Sequence, residues 1–129
     1  MAKKKCSTKR PVMPGHLARA GDKTLRTYHV GAMPIINRIL QRMRLADILR
    51  QCLPADDSRT QLPTSRGLLV LVRNLLIARE PVYGVGQWAA GYAPGLLDLW
   101  HHEVERLNDD RVGRCLDRLF DGLDADLIM

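Results

Sequence analysis

Arg111, Arg114 and Arg118 stand three and then four residues apart, and a helix brings that spacing onto one stripe. A stripe of guanidinium groups can grip phosphate oxygens or read a base edge in a major groove. It can equally satisfy itself, since Asp110 precedes Arg114 by four residues and Asp117 follows it by three. Arg38 and Arg42 form a shorter pair at i and i+4. Lys3, Lys4, Lys5, Lys9, Arg10 and Arg19 crowd the N-terminus. Residues 1–30 hold eight bases and one acid, a net of +7, while residues 31–129 hold 12 bases and 13 acids, a net of −1. A roughly neutral body with a basic arm is drawn to polyanions by charge alone, nucleic acid above all. A solvated, solubilising tail is the plainer alternative.

Other constellations carry less. His101-His102-Glu103-Val104-Glu105 offers metal-ligating residue types, but adjacent histidines on a helix point about 100° apart and the usual spacing is i, i+4. A solvated loop is the expectation, with no metal. Gly84-Val85-Gly86-Gln87-Trp88-Ala89 has the letters of a dinucleotide loop. It lacks the preceding strand that would aim a pyrophosphate at a helix N-terminus. A helix-turn-helix about Glu80-Pro81 would need cations on its second helix, and no Lys or Arg occurs from Glu80 through Glu105. No nucleophile-and-base arrangement, P-loop or nucleophile elbow is visible, so catalysis by this chain alone is not expected.

The elements that must position these residues read as helices. Thr24 to Val30 could form one short strand. Ile35, Ile36, Ile39, Leu40 and Met43 share a helical face, with Asn37, Arg38, Gln41 and Arg42 turned away. Leu45, Ile48, Leu49, Cys52 and Leu53 form a second apolar run, stopped by Pro54. After a polar loop over 54–63, Thr64 or Ser65 caps a helix running to about Arg79. Its apolar residues cover most of the circumference, which marks a buried hub. Val82 to Ala90 gives another short helix, and Leu96, Leu97, Leu99 and Trp100 an apolar turn. Asn108 caps the helix of the arginine stripe, with Asp109 and Asp110 set against its dipole. Val112, Cys115, Leu116, Leu119 and Phe120 form its inner face and Gly122 its end. Asp124 then caps a further helix that runs out on Leu127-Ile128-Met129, as though this were the front part of something longer.

The chain's 129 residues suit one domain. Hydrophobic residues at 46% with charged residues at 26% indicate a globular body. Aromatics at 5% leave too few rings for a base-stacking platform. Cys6, Cys52 and Cys115 are odd in number and far apart, which suits a reducing cytoplasm and argues against a disulfide framework or zinc site. The greasiest run, Gly67 to Ala78, carries Arg73 and Asn74 and falls short of the ~20 apolar residues of a membrane span.

Leu45-Ala46-Asp47-Ile48-Leu49 running to Leu53-Pro54, Ser65 through Asn74 to Arg79-Glu80-Pro81-Val82-Tyr83, and above all Leu107-Asn108-Asp109-Asp110-Arg111-Val112-Gly113-Arg114 followed by Leu116-Asp117-Arg118-Leu119 carry a resemblance. Over about residues 30–125 the chain resembles the N-terminal region of DDE-type insertion-sequence transposases of the insertion-sequence-four superfamily. Arg44 stands where that family often has glycine. The resemblance implies a helical region preceding a ribonuclease-H-like domain, in which three carboxylates hold two metal ions that cut and join DNA. No segment here supplies that triad.

The expectation is therefore an all-α domain of five to six helices around a central buried helix over 24–129, preceded by a disordered basic arm over 1–23. The expected role is the non-catalytic N-terminal part of a truncated or split transposase that contacts element-end DNA. The arm would give non-specific affinity, and Arg38 and Arg42, or Arg111, Arg114 and Arg118, any sequence reading. Expected partners are DNA, a transposase catalytic domain or a second copy, with no cofactor, membrane or small-molecule substrate. The rival is an interaction module docking through Trp100 and the apolar ending.

Overall fold

Pro34 lies in the first turn of α1 (Met33–Arg42), where its missing N–H is no loss. In this computed structural model, which describes residues 25–127, α1 turns Met33 and Leu40 into the core. Ile35, Ile39 and Met43, expected on that face, are instead 67, 50 and 58% exposed. The cause is Asn37, expected to point away. Its amide donates to the Leu96 carbonyl at 2.7 Å and its oxygen accepts from Arg73 Nε at 2.8 Å. The helix is rotated toward this polar anchor, because an unmet buried polar group costs more than a solvent-facing isoleucine forfeits.

Arg44 links α1 to α2 (Leu45–Cys52) with φ 54° and ψ 32°. That left-handed conformation costs a residue with a Cβ roughly 1 kcal/mol and costs glycine nothing. The turn thus keeps the geometry a glycine would give. On α2, Leu45, Leu49 and Cys52 are half-buried, while Ile48, expected inside, is exposed.

α3 (Thr64–Ile77) packs against α1, α2 and two later helices, α4 (Val85–Ala90) and α6 (Asp109–Leu127), and is the hub. Neither Thr64 nor Ser65 caps it; both are buried within its first turn. The cap comes from eight residues upstream. Asp56 accepts from the Thr64 backbone N–H at 3.2 and 3.3 Å and from its hydroxyl at 2.6 Å. Leu68, Leu69 and Val70 are buried as expected, but the last turn is inverted: Arg73 and Asn74 are buried, and Leu75 and Leu76 are exposed. Asn74 explains where the helix stops. Its carbonyl accepts from the N–H groups of Ala78 and Arg79, and its side chain both donates to and accepts from the Glu80 backbone. Arg79 takes φ 56°, and Pro81 follows.

A 3-10 turn over Val82–Gly84 leads into α4 (Val85–Ala90), which buries Val85 and Ala89. Gly86 passes so close to the next segment that a Cβ would lie 2.2 Å from the Leu107 carbonyl oxygen. Close approach, not phosphate binding, explains that glycine. Gly86→Ala is expected to cost about 1–3 kcal/mol despite alanine's better helix propensity, since the obstacle is backbone that cannot rotate away. A lower urea midpoint with an unchanged slope checks this.

Pro94–Leu97 forms a second 3-10 turn, and Leu97 and Leu99 are buried. His101–Glu105 is a helix, α5, rather than a solvated loop. Glu103 is buried in it, taking Arg66 Nη1 at 3.0 and 3.1 Å and the Trp100 N–H at 2.7 Å. α6 (Asp109–Leu127) begins as expected, with Asn108 Oδ1 accepting from the Arg111 N–H at 2.9 Å. Val112 and Cys115 are buried, whereas Leu116, Phe120 and Leu123 are 37, 64 and 46% exposed. Gly122 does not end the helix. It lets α6 pass the end of α2, where a Cβ would sit 2.4 Å from the Cys52 carbonyl oxygen. Asp124 falls inside α6 and starts no new helix.

The strand expected over Thr24–Val30 does not form in its described part, residues 25–30. Among the described residues there is no strand: His29 makes one parallel bridge to Tyr92, donating to the Gly91 carbonyl at 2.8 Å. The fold is all-α, with six α-helices described and a core of Met33, Leu62, Val70, Val85, Ala89, Leu97 and Val112. No described helix is long and apolar enough to cross a membrane. The basic arm, with Lys3, Lys4, Lys5, Lys9, Arg10 and Arg19, lies outside the described residues, as do Ile128 and Met129 of the apolar ending.

Candidate nucleic-acid interface

The loop between α2 and α3 is held at both ends of its second half. Asp56 caps α3, and Leu62 is buried in the core. Between this loop and α6 opens a concavity of about 380 Å³, with Arg59, Arg111, Arg114 and Arg118 around it and Leu62, Thr64 and Cys115 among its lining. That volume is near the lower end of ligand-sized sites, about 300–1,000 Å³.

The arginines differ in how firmly they are held. Arg118 Nη1 donates to Asp56 at 2.9 Å and lies 3.4 Å from the Thr64 hydroxyl, so it braces the cap of α3. Arg114 pairs with Asp110 at 2.9 Å, both side chains being largely exposed. Such an i, i+4 pair is worth only about 0.3–0.5 kcal/mol and exchanges readily for a stronger anion. Asp117, the other expected partner of Arg114, does not reach it. Arg111 donates to the Gln61 side-chain oxygen at 3.2 Å. Arg59 forms no ion pair among the described residues. Arg59, Arg111 and Arg114 are thus the cations available to a ligand, and Arg118 is a structural one.

Sequence reasoning placed Arg111, Arg114 and Arg118 together, and the fold does so. Spacing gives no sign of Arg59, which reaches the site on a loop held by Asp56 and by buried Leu62. Arg38 and Arg42 are exposed on α1 and do not line this concavity.

Cys115 lies at its floor, and its thiol is pushed up to about 11, chiefly by burial and then by the Asp56 carboxylate, against the opposing pull of Arg118 and Arg111. The folded state therefore holds the proton more tightly than the unfolded chain, whose thiol titrates near 9.0. Stability from this group is complete below pH 9 and declines as pH rises toward 11. In a chain with Cys6 and Cys52 replaced by serine, Cys115 should alkylate slowly at pH 8 and at a normal rate once urea unfolds the chain. Fast alkylation of the native protein at pH 8 would contradict the burial.

His101 Nε2 accepts from Arg26 Nη1 at 2.8 Å, and Glu103 is committed to Arg66 and Trp100. Among the described residues no group of three His, Cys, Asp or Glu side chains could hold a metal ion.

No curated protein and no solved structure matches the chain. A family model does match residues 25–128, and the chain belongs to that family, described as a domain of unknown function, DUF4277.

Proposed function

We propose that this chain acts as the non-catalytic N-terminal part of a transposase and helps to hold the DNA ends of its element. One observation carries the reading: Arg59, Arg111 and Arg114 converge on one open concavity without being locked into the fold. The stretch most similar to insertion-sequence transposases, Leu107 to Arg114, contributes two of these arginines to the site. Asn108 caps α6, Asp110 steadies Arg114, and Arg111 reaches the loop. Phosphate oxygens and base edges would replace Asp110 and Gln61 as acceptors, the phosphates through stronger charge-assisted bonds and the base edges supplying any sequence preference. The arm would add sequence-independent affinity through its lysines and arginines. Strand transfer itself would need the two-metal carboxylate domain that this similarity implies elsewhere.

Fluorescence anisotropy on labelled duplex DNA across salt tests this. If the arm supplies about four to six phosphate contacts, log K should fall with log salt at a slope of −4 or steeper, about −4 to −5 from the arm alone. No binding at low salt would overturn the proposal. A second reading, an assembly module, draws on the apolar residues that α1 and α6 leave outside.

A further inference from the structure

Two apolar stripes on the helical body carry borders of opposite charge. On α1, Ile35, Ile39 and Met43 recur every four residues and form one exposed line. Arg38 and Arg42, both exposed, run along one side of it. Ile48 of α2 extends the line, since it and Met43 line one shallow concavity. On α6, Leu116, Phe120 and Leu123 form a second exposed line, and Asp117 and Asp121, both exposed, run beside it. None of these four charges has an ion-pair partner among the described residues.

We propose that these stripes bind each other between two copies of the chain, α1 of one copy on α6 of the next. Ile35, Ile39 and Met43 would pack on Leu116, Phe120 and Leu123, while Arg38 and Arg42 meet Asp117 and Asp121. The spacings match: each charged pair is i and i+4, a rise of about 6 Å along its helix. The pairing of borders singles out a second copy. Nucleic acid would satisfy Arg38 and Arg42 but would leave the apolar line uncovered and be repelled by Asp117 and Asp121. The two stripes sit on different elements, so a single contact leaves one stripe open on each copy. A reciprocal pair uses both and closes. One helix-on-helix contact falls short of the ~800 Å² per partner of a stable interface, so closure by two is the expected form. Nothing in this pairing rests on DNA binding.

Charge reversal tests it. Arg38→Glu with Arg42→Glu makes both stripes acid-bordered, and Asp117→Arg with Asp121→Arg makes both base-bordered. By sedimentation across protein concentration, the wild-type chain should self-associate. Each reversed variant should do so at least about tenfold more weakly, with an unchanged far-UV spectrum. An equimolar mixture of the two variants restores complementary borders at both contacts and should associate as the wild type does. That recovery is something a folding defect would not produce. A wild-type chain that stays monomeric at high concentration overturns the proposal. So do variants that associate undiminished, or a mixture that fails to recover.

Discussion

Arg73→Ala is expected to cost about 3–5 kcal/mol, a large fraction of the stability of a domain this size. Arg73 is only 2% exposed, yet it makes three separate bonds. Its Nε donates to Asn37 Oδ1 at 2.8 Å, its Nη1 to the Leu97 carbonyl at 3.0 Å, and its Nη2 to the Asp98 carboxylate. Removal opens a void on α3 and strips a donor from both a buried carbonyl and the anchor that orients α1. Asp98 is largely exposed and recovers in water, so the penalty comes from the two inner acceptors. Against the ~5–15 kcal/mol of an ordinary domain, such a loss would bring the chain near its unfolding threshold at room temperature. Arg73→Met, which fills the void but donates nothing, should fall between the wild type and the alanine variant. Urea denaturation reads the series. A methionine variant as stable as the wild type would show that these bonds contribute nothing net.

The triple substitution Arg59→Ala, Arg111→Ala and Arg114→Ala should weaken duplex DNA binding by roughly 10- to 100-fold at low salt and make the salt slope shallower by about 2 to 3. These side chains are at the rim or exposed and hold no core group in place, so the urea midpoint should barely move. Arg118→Ala should behave in the opposite way. It releases Asp56, which caps α3, and should lower stability more than affinity. Arg38→Ala and Arg42→Ala should leave the salt slope unchanged. A triple variant with the wild-type slope would move DNA contact to another surface.

Much of this architecture was legible along the chain. The Asn108 cap, the break at Glu80-Pro81 and the apolar start of α3 are local signals, and each acts over one or two helical turns. Several departures trace to a polar group recruited from a distance. Asn37 and Arg73 read as outward-facing or incidental because nothing local shows that they bond to each other and to Leu96 and Leu97. Glu103 reads as a solvent acid until Arg66, 37 residues away, gives it a buried partner. Gly122 carries the letter of a helix end, and only the crossing of α2 shows that it serves close approach. The arginine stripe was visible from spacing. Its fourth member, Arg59, was not, because a loop's position depends on what pins it.

The most direct measurement compares affinity for duplexes carrying the element's terminal repeats with affinity for scrambled duplexes. It uses a full chain in which Lys3, Lys4, Lys5, Lys9, Arg10 and Arg19 are all changed to Gln. A preference of about tenfold or more for the repeats, surviving loss of the arm's charge and abolished by the Arg59, Arg111 and Arg114 substitutions, is the predicted result. Equal binding to both duplexes that vanishes with the arm's charge would contradict it, leaving a polycation attached to an assembly domain.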